Sequence, residues 1–84
     1  MPRIKIVAIE WDEGNELHAT RHDVSVIEIE TVLERATIAH RNRKDRSGDY
    51  YVHGPTLGGR MIKVVFAYNK AARTARPIAA WEED

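Results

Sequence analysis

The run Arg60–Tyr68, R-M-I-K-V-V-F-A-Y, is the most apolar and most strand-like segment of this 84-residue chain. Such a run reads as a strand with neighbours on both sides, so it belongs in the middle of a sheet. The flanking sequence supplies those neighbours. Gly54-Pro55-Thr56-Leu57-Gly58-Gly59 is turn chemistry, with glycine for positive φ and proline for a fixed φ. Before it, Tyr50–His53 begins a strand. After it, Asn69–Arg73 turns the chain and Thr74–Ala80 returns as another. Pro77 lacks an N–H, which places it at an edge or where that strand leaves its ladder. Three strands joined by short turns form an antiparallel meander.

The first third reads differently. Arg3–Glu10 alternates β-branched residues and forms a strand with one buried face. Asp12 can cap a helix running to about His22, with Glu13 and Glu16 in its first turns, where the helix dipole favours acids. Ser25 and Glu28 have the spacing of a capping box for a second helix, with Val24 as its staple. Val26, Ile29, Val32 and Leu33 form that helix's apolar stripe. Ala36–Asp49 is polar, basic and aperiodic, and reads as a mobile loop. The order is β-α-α-β-β-β. It predicts an α+β domain spanning residues 1–84, with two N-terminal helices packed as one layer on an antiparallel sheet.

Composition narrows the function. There is no cysteine, so neither a disulfide framework nor a thiolate metal site is available. No segment approaches the roughly 20 apolar residues that a membrane helix needs, and the N-terminal apolar run is too short for a secretory core. A cytoplasmic protein with no membrane partner is expected. The formal net charge of zero conceals an asymmetry: residues 1–40 hold 4 Lys/Arg against 8 Asp/Glu, residues 41–76 hold 9 against 2. A basic second half suits an anionic partner, either nucleic acid or an acidic protein.

Chemistry-bearing residues fall in two groups. In Trp11–Val24, Asn15, His18 and His22 follow at steps of three and four, sharing one helix face with Arg21 beside them. His18 and His22 have the spacing of a metal-binding pair, but no H-E-x-x-H pattern or cysteine supplies further ligands, so no metal is expected. Trp11 reads as a core anchor. Trp81 can stack on a base, pack on a partner or cover the core. In the second group, Tyr51 and His53 share one sheet face by alternation. Cleaving RNA without metal takes a base for the 2′-OH, an acid for the leaving oxygen and a cation for the phosphate. His53, Tyr51 and Arg60 can supply these, with Arg76 as a second cation. The same tyrosines also suit plain packing.

The pattern W-D-E-x-N-E-x-H-x-x-R-H-x-V-S, from Trp11 to Ser25, followed by an acidic helix, Y-x-V-x-G-x-T-x-x-G-R from Tyr50 to Arg60, an apolar strand and R-P-I-x-A from Arg76 to Ala80, resembles the BrnT-like toxins of bacterial type II toxin–antitoxin systems. The resemblance spans about Ile9 to Ala80. It implies a RelE-like fold, a ribonuclease activity that halts translation without a cofactor, and neutralisation by a cognate antitoxin in a hetero-oligomer; a homo-oligomer is the other assembly. It also implies His22, His53, Arg60 and Arg76 as catalytic positions. Arg21, Arg41, Arg43, Lys44, Arg46 and Tyr51 would then contact RNA. Where the family commonly continues as I-S/T-A-R, this chain has Ile78-Ala79-Ala80-Trp81-Glu82, without the hydroxyl and the arginine. The alternative expectation is a family member that binds RNA or protein without cleaving.

Overall fold

A computed structural model describes residues 3–43 and 48–83. In chain order its elements are β1 (Ala8–Ile9), α1 (Glu13–Thr20), α2 (Val26–Arg35), β2 (His40–Arg41), β3 (Tyr50–Pro55), β4 (Met61–Asn69) and β5 (Thr74–Glu82). They form a five-stranded sheet ordered β1-β5-β4-β3-β2. The chain is an α+β fold with its helices N-terminal to most of the sheet. β4, the apolar run, lies at the centre, as its composition requires. The β3–β4–β5 meander is antiparallel, and β1 joins β5 in parallel, so the sheet is mixed.

One core sits between α2 and the sheet. Ile62, Val64 and Phe66 of β4 are fully buried, facing Ile29, Val32 and Leu33 of α2 and Val52 of β3. α2 comes so close that a Cβ on Gly54 would lie 3.1 Å from Val32 Cγ1, which is why a residue without a side chain stands there. The helix starts where the sequence places it: Ser25 Oγ accepts from the Glu28 backbone N–H at 3.2 Å, and Glu28 Oε1 accepts from the Ser25 N–H at 3.0 Å. Trp11 packs against the core and ties it to α2, its indole N–H donating to Glu30 Oε2 at 2.9 Å.

Four local expectations change. The strand expected over Arg3–Glu10 shrinks to Ala8–Ile9, because the segment divides its backbone bonds between two neighbours. Ile4 N–H donates to Thr37, whereas Val7 and Glu10 donate to Arg73 and Ala75. The expected loop Ala36–Asp49 contains β2, whose His40 and Arg41 pair with Tyr51 and Tyr50; residues 44–47 lie outside the described residues. α1 stops at Thr20 rather than His22, and Asp23 then takes φ 63°, the left-handed turn that sends the chain into α2. β5 runs two residues past Ala80, carrying Trp81 into the sheet. Pro77 sits beside a bulge: Val65 pairs with Ala79 and Phe66 with Pro77, leaving Ile78 as the extra residue.

The bulge has a counterpart in α1. β1 covers only the first two residues of β5, so the remainder of that edge would present unpaired carbonyls. α1 lies alongside and supplies donors. Asn15 Nδ2 donates to Pro77 O at 2.9 Å, and His18 Nδ1 lies 2.6 Å from Ile78 O. A carbonyl only accepts, so the His18 proton is on Nδ1. Asn15 also donates to Glu10 O at 3.1 Å and accepts from the Asp12 N–H at 2.7 Å, closing a capping box at the start of α1. Replacing Asn15 with Ala removes all three bonds and leaves a buried carbonyl unpaired. It should cost about 2–4 kcal/mol, read as a lowered urea midpoint. Asn15→Asp keeps the acceptor but not the donors and should lose a similar amount; a wild-type midpoint for either variant would show that this junction is not structurally important.

Candidate nucleic-acid interface

The face of the sheet away from α2 carries the residues with chemistry. Register puts Tyr51, Val65 and Ala79 in one row across β3, β4 and β5, and His53, Lys63 and Trp81 in the next. Alternation keeps both rows on the open face. At the β2 edge His40 stacks on Tyr51, with ring centroids 5.1 Å apart. At the other edge, just past α1, His22 meets Trp81 edge-on at 6.5 Å. The Lys63 ammonium lies 4.1 Å from the Tyr51 ring centroid and 5.3 Å from that of Trp81.

These rows floor a groove of about 770 Å³. Its walls are His18 and Arg21 from α1 and its C-terminal turn, and Arg41, Asn42 and Arg43 from β2 and its exit. Val65, Ile78 and Ala79 are its apolar floor, with Tyr51 and Trp81 as the aromatic rims. The groove therefore gathers Arg21, Arg41, Arg43 and Lys63, and no carboxylate lines it among the described residues. Positive charge next to flat aromatic rings on an open sheet suits a single-stranded nucleic acid, which offers phosphates and bases together.

The expected site residues divide. Arg21, Arg41, Arg43 and Tyr51 line the groove, and His22 stands at its end beside Trp81, with Arg21 Nε 3.3 Å from His22 Nε2. Lys44 and Arg46 lie outside the described residues. Arg60 and Arg76 are elsewhere. Arg60 Nη1 lies 3.4 Å from Glu28 Oε2, its Nη2 donates to Asp23 O at 3.1 Å, and its buried Nε lies 3.3 Å from Glu82 without hydrogen-bond alignment. Arg76 Nη2 lies 2.7 Å from Asp12 Oδ2 and its Nη1 3.5 Å from Glu10. The two arginines are held at opposite ends of β5, roughly 20 Å apart at about 3.3 Å per residue, too far to grip one phosphate. Each is matched by two carboxylates, and both act as ties between elements. His22 and His53 likewise stand at opposite ends of one row, two strands apart.

Sequence reasoning passed over Lys63 and His40. Lys63 left a signal: a single charge inside the apolar run of β4 marks the position that turns to the open side. His40 left none, because its segment was read as a loop. Among the described residues no three of His, Cys, Asp and Glu are grouped to hold a metal ion, so the His18/His22 pair remains without further ligands. No helix of the described residues is long and apolar enough to cross a membrane. No known protein family, curated protein or solved structure matches the chain.

The ties away from the groove have a pH signature. The Asn15 backbone N–H, first, and the Arg76 guanidinium, second, hold the Asp12 carboxyl below its ordinary value of 3.8. A carboxyl depressed in the folded state contributes stability that is fully present above its unfolded pKa and is lost as pH falls through its folded pKa. Asp12→Asn keeps a competent cap but loses the charge, so it should be less stable than wild type at pH 7. The gap should close as pH is lowered from about 4 toward about 2. Denaturant midpoints of both proteins across this range test it; a gap independent of pH would mean that the Asp12 charge does not contribute.

Proposed function

We propose that the open face of the sheet binds single-stranded RNA, and that the chain acts as an RNA-directed protein of the cytoplasm. Within that class, the motif resemblance makes it a BrnT-like, RelE-like toxin held inactive by a cognate antitoxin. The observation that carries the reading is the groove itself, which four cations and two aromatic rims line with no carboxylate among the described residues. The formal net charge of zero would not attract a polyanion, but the local field of this face would.

Cleavage does not follow from binding. The pairing of Arg60 and Arg76 with carboxylates favours the second reading, a module that binds RNA without using those arginines on a phosphate.

Titrating the protein with a fluorescent single-stranded oligoribonucleotide tests the binding function. Binding should weaken with salt, and removing two phosphate contacts by Arg41→Ala with Arg43→Ala should flatten the log K against log salt slope by about 1.4, at about 0.7 per contact. Trp81→Ala should weaken binding by about 1–3 kcal/mol with little change in slope, because it removes stacking rather than charge. Salt-independent binding, or equal preference for duplex DNA, would overturn the RNA reading. Expression in bacterial cells should arrest growth, and the double arginine variant should relieve the arrest; growth unaffected by wild type would overturn the toxin assignment.

A further inference from the structure

All four histidines of the chain stand around the open face. His18 lines the groove from α1, and His22 follows at its end beside Trp81. Across the floor, His40 stacks on Tyr51 from β2, and His53 meets the same ring edge-on at 5.4 Å from β3. None belongs to the core between α2 and the sheet. Their charged neighbours are mostly cations. His18 and His22 share their end with Arg21. His40 and His53, with ring centroids 6.0 Å apart, line a cleft of about 370 Å³ with Arg35, while Arg41 follows His40 on β2 and Lys63 lies opposite His53 on β4. Among the described residues the one carboxylate paired with a histidine is that of Glu83, whose Oε1 lies 3.6 Å from His53 Nδ1. Two hydrogen bonds decide where a further proton goes. His18 Nδ1 donates to Ile78 O, so a second proton takes Nε2 and leaves that bond intact. His22 Nε2 accepts from Arg21 Nε at 3.3 Å, so a proton there breaks the bond and sets two cations side by side.

We propose that this face is a proton-responsive anion surface, on which the four histidines add their charges to the groove as pH falls from about 7.5 to about 5.5 and so tighten its hold on RNA. The inference rests on the RNA-binding function above and gives it a regulator, the proton. Arginine, lysine and carboxylate side chains keep their charges across that range, and the Tyr51 hydroxyl stays neutral, so the histidines alone change the field. With all four charged, the face carries twice the four cations that line the groove when the imidazoles are neutral. In the free protein each new cation is repelled by Arg21, Arg35, Arg41 or Lys63; a phosphate placed among them turns repulsion into attraction. Protonation and anion binding therefore favour each other, and the coupling is reciprocal: bound RNA draws protons onto the face. The four positions differ. Protonated His22 releases Arg21 Nε, so one proton frees two phosphate donors on the α1 side. The charge of His53 is partly offset by Glu83. His40 pairs with no carboxylate among the described residues, so its whole charge is available to a ligand.

The experiment follows binding of an oligouridine without terminal phosphates, which titrates no group in that range, to the full chain by calorimetry at fixed ionic strength. Affinity should rise roughly tenfold or more from about pH 7.5 to about pH 5.5, and the log K against log salt slope should steepen by about 0.7 for each histidine that meets a phosphate. Titrations at about pH 6.5 in two buffers of different ionisation enthalpy should show an uptake of about one proton or more per complex. His18→Gln with His22→Gln removes the α1 pair, and His40→Gln with His53→Gln removes the β2–β3 pair. Each double variant, folded by circular dichroism at both pH values, should lower the ratio of the two affinities by roughly threefold or more. Where a double variant does not fold, the single variants His22→Gln and His40→Gln are read in the same way. Affinity independent of pH in wild type, or no proton uptake, would overturn the proton response and leave the RNA-binding function standing. An unchanged ratio in either variant would overturn the assignment to the whole face. Absence of binding at both pH values would overturn the RNA-binding function and the proton response together.

Discussion

The structure turns on one side chain, the carboxamide of Asn15. With two donors and one acceptor it joins three pieces of chain: the exit of β1 through Glu10 O, the start of α1 through the Asp12 N–H, and the bulged edge of β5 through Pro77 O. The residue is 7% exposed, so each bond lacks a ready substitute from water. No other common side chain of this size both donates twice and accepts, which is why an aspartate or a leucine would not serve. The rest of α1 depends on that placement. The helix has only eight residues and a weak apolar stripe, with Ala19 its one fully buried apolar side chain, so it would be marginal by itself. It persists because it is bonded to the edge it covers.

That arrangement decides where charge is available. Arg76 reinforces the cap of α1 through Asp12, and Arg60 joins the start of α2 to the end of β5 through Glu28 and Glu82. Acids and arginines thus cancel each other at the junctions between elements. Arg21, Arg41, Arg43 and Lys63, which have no carboxylate partner among the described residues, gather on the open face, where α1 forms one wall and β2 the other. A chain of zero net charge so presents a basic surface, and it is folding, not composition, that separates the two populations.

This separation also explains how far the sequence could be read. The central strand, both helix caps and the meander follow from local patterns, and each of them is found where those patterns put it. The capping box of α2 needs only Ser25 and Glu28 three positions apart. The partner of each arginine was out of reach of such reasoning, because Arg76 meets Asp12 across sixty-four positions and Arg60 meets Glu28 across thirty-two. The same holds for the register that sets Lys63 beside His53 and Trp81. Asn15 was placed on the right helix, but on a supposed ligand face with His18 and His22. In fact Asn15 and His18 both turn to the β5 carbonyls, and His22 lies beyond the last turn of the helix.

The Lys63 ammonium between two rings bears on how a nucleic acid would engage the proposed surface. Over an aromatic face it is attracted to the ring electrons, by about 0.5–2 kcal/mol at such a half-buried place. A phosphate is a stronger partner than either ring, so it can draw the ammonium off the Tyr51 face with little loss. That movement uncovers the ring as the phosphate arrives, and the ring can then take a base. On this reading charge and stacking are not independent contributions at this face, because one lysine links them. In the proposed complex Lys63 would leave the aromatic face it covers in the free protein and open it to a base attached to the anion. The wall arginines Arg21, Arg41 and Arg43 have no such second function, so they would draw any polyanion. Discrimination for a single strand would then come from Lys63 and the aromatic rims of the groove and not from its walls.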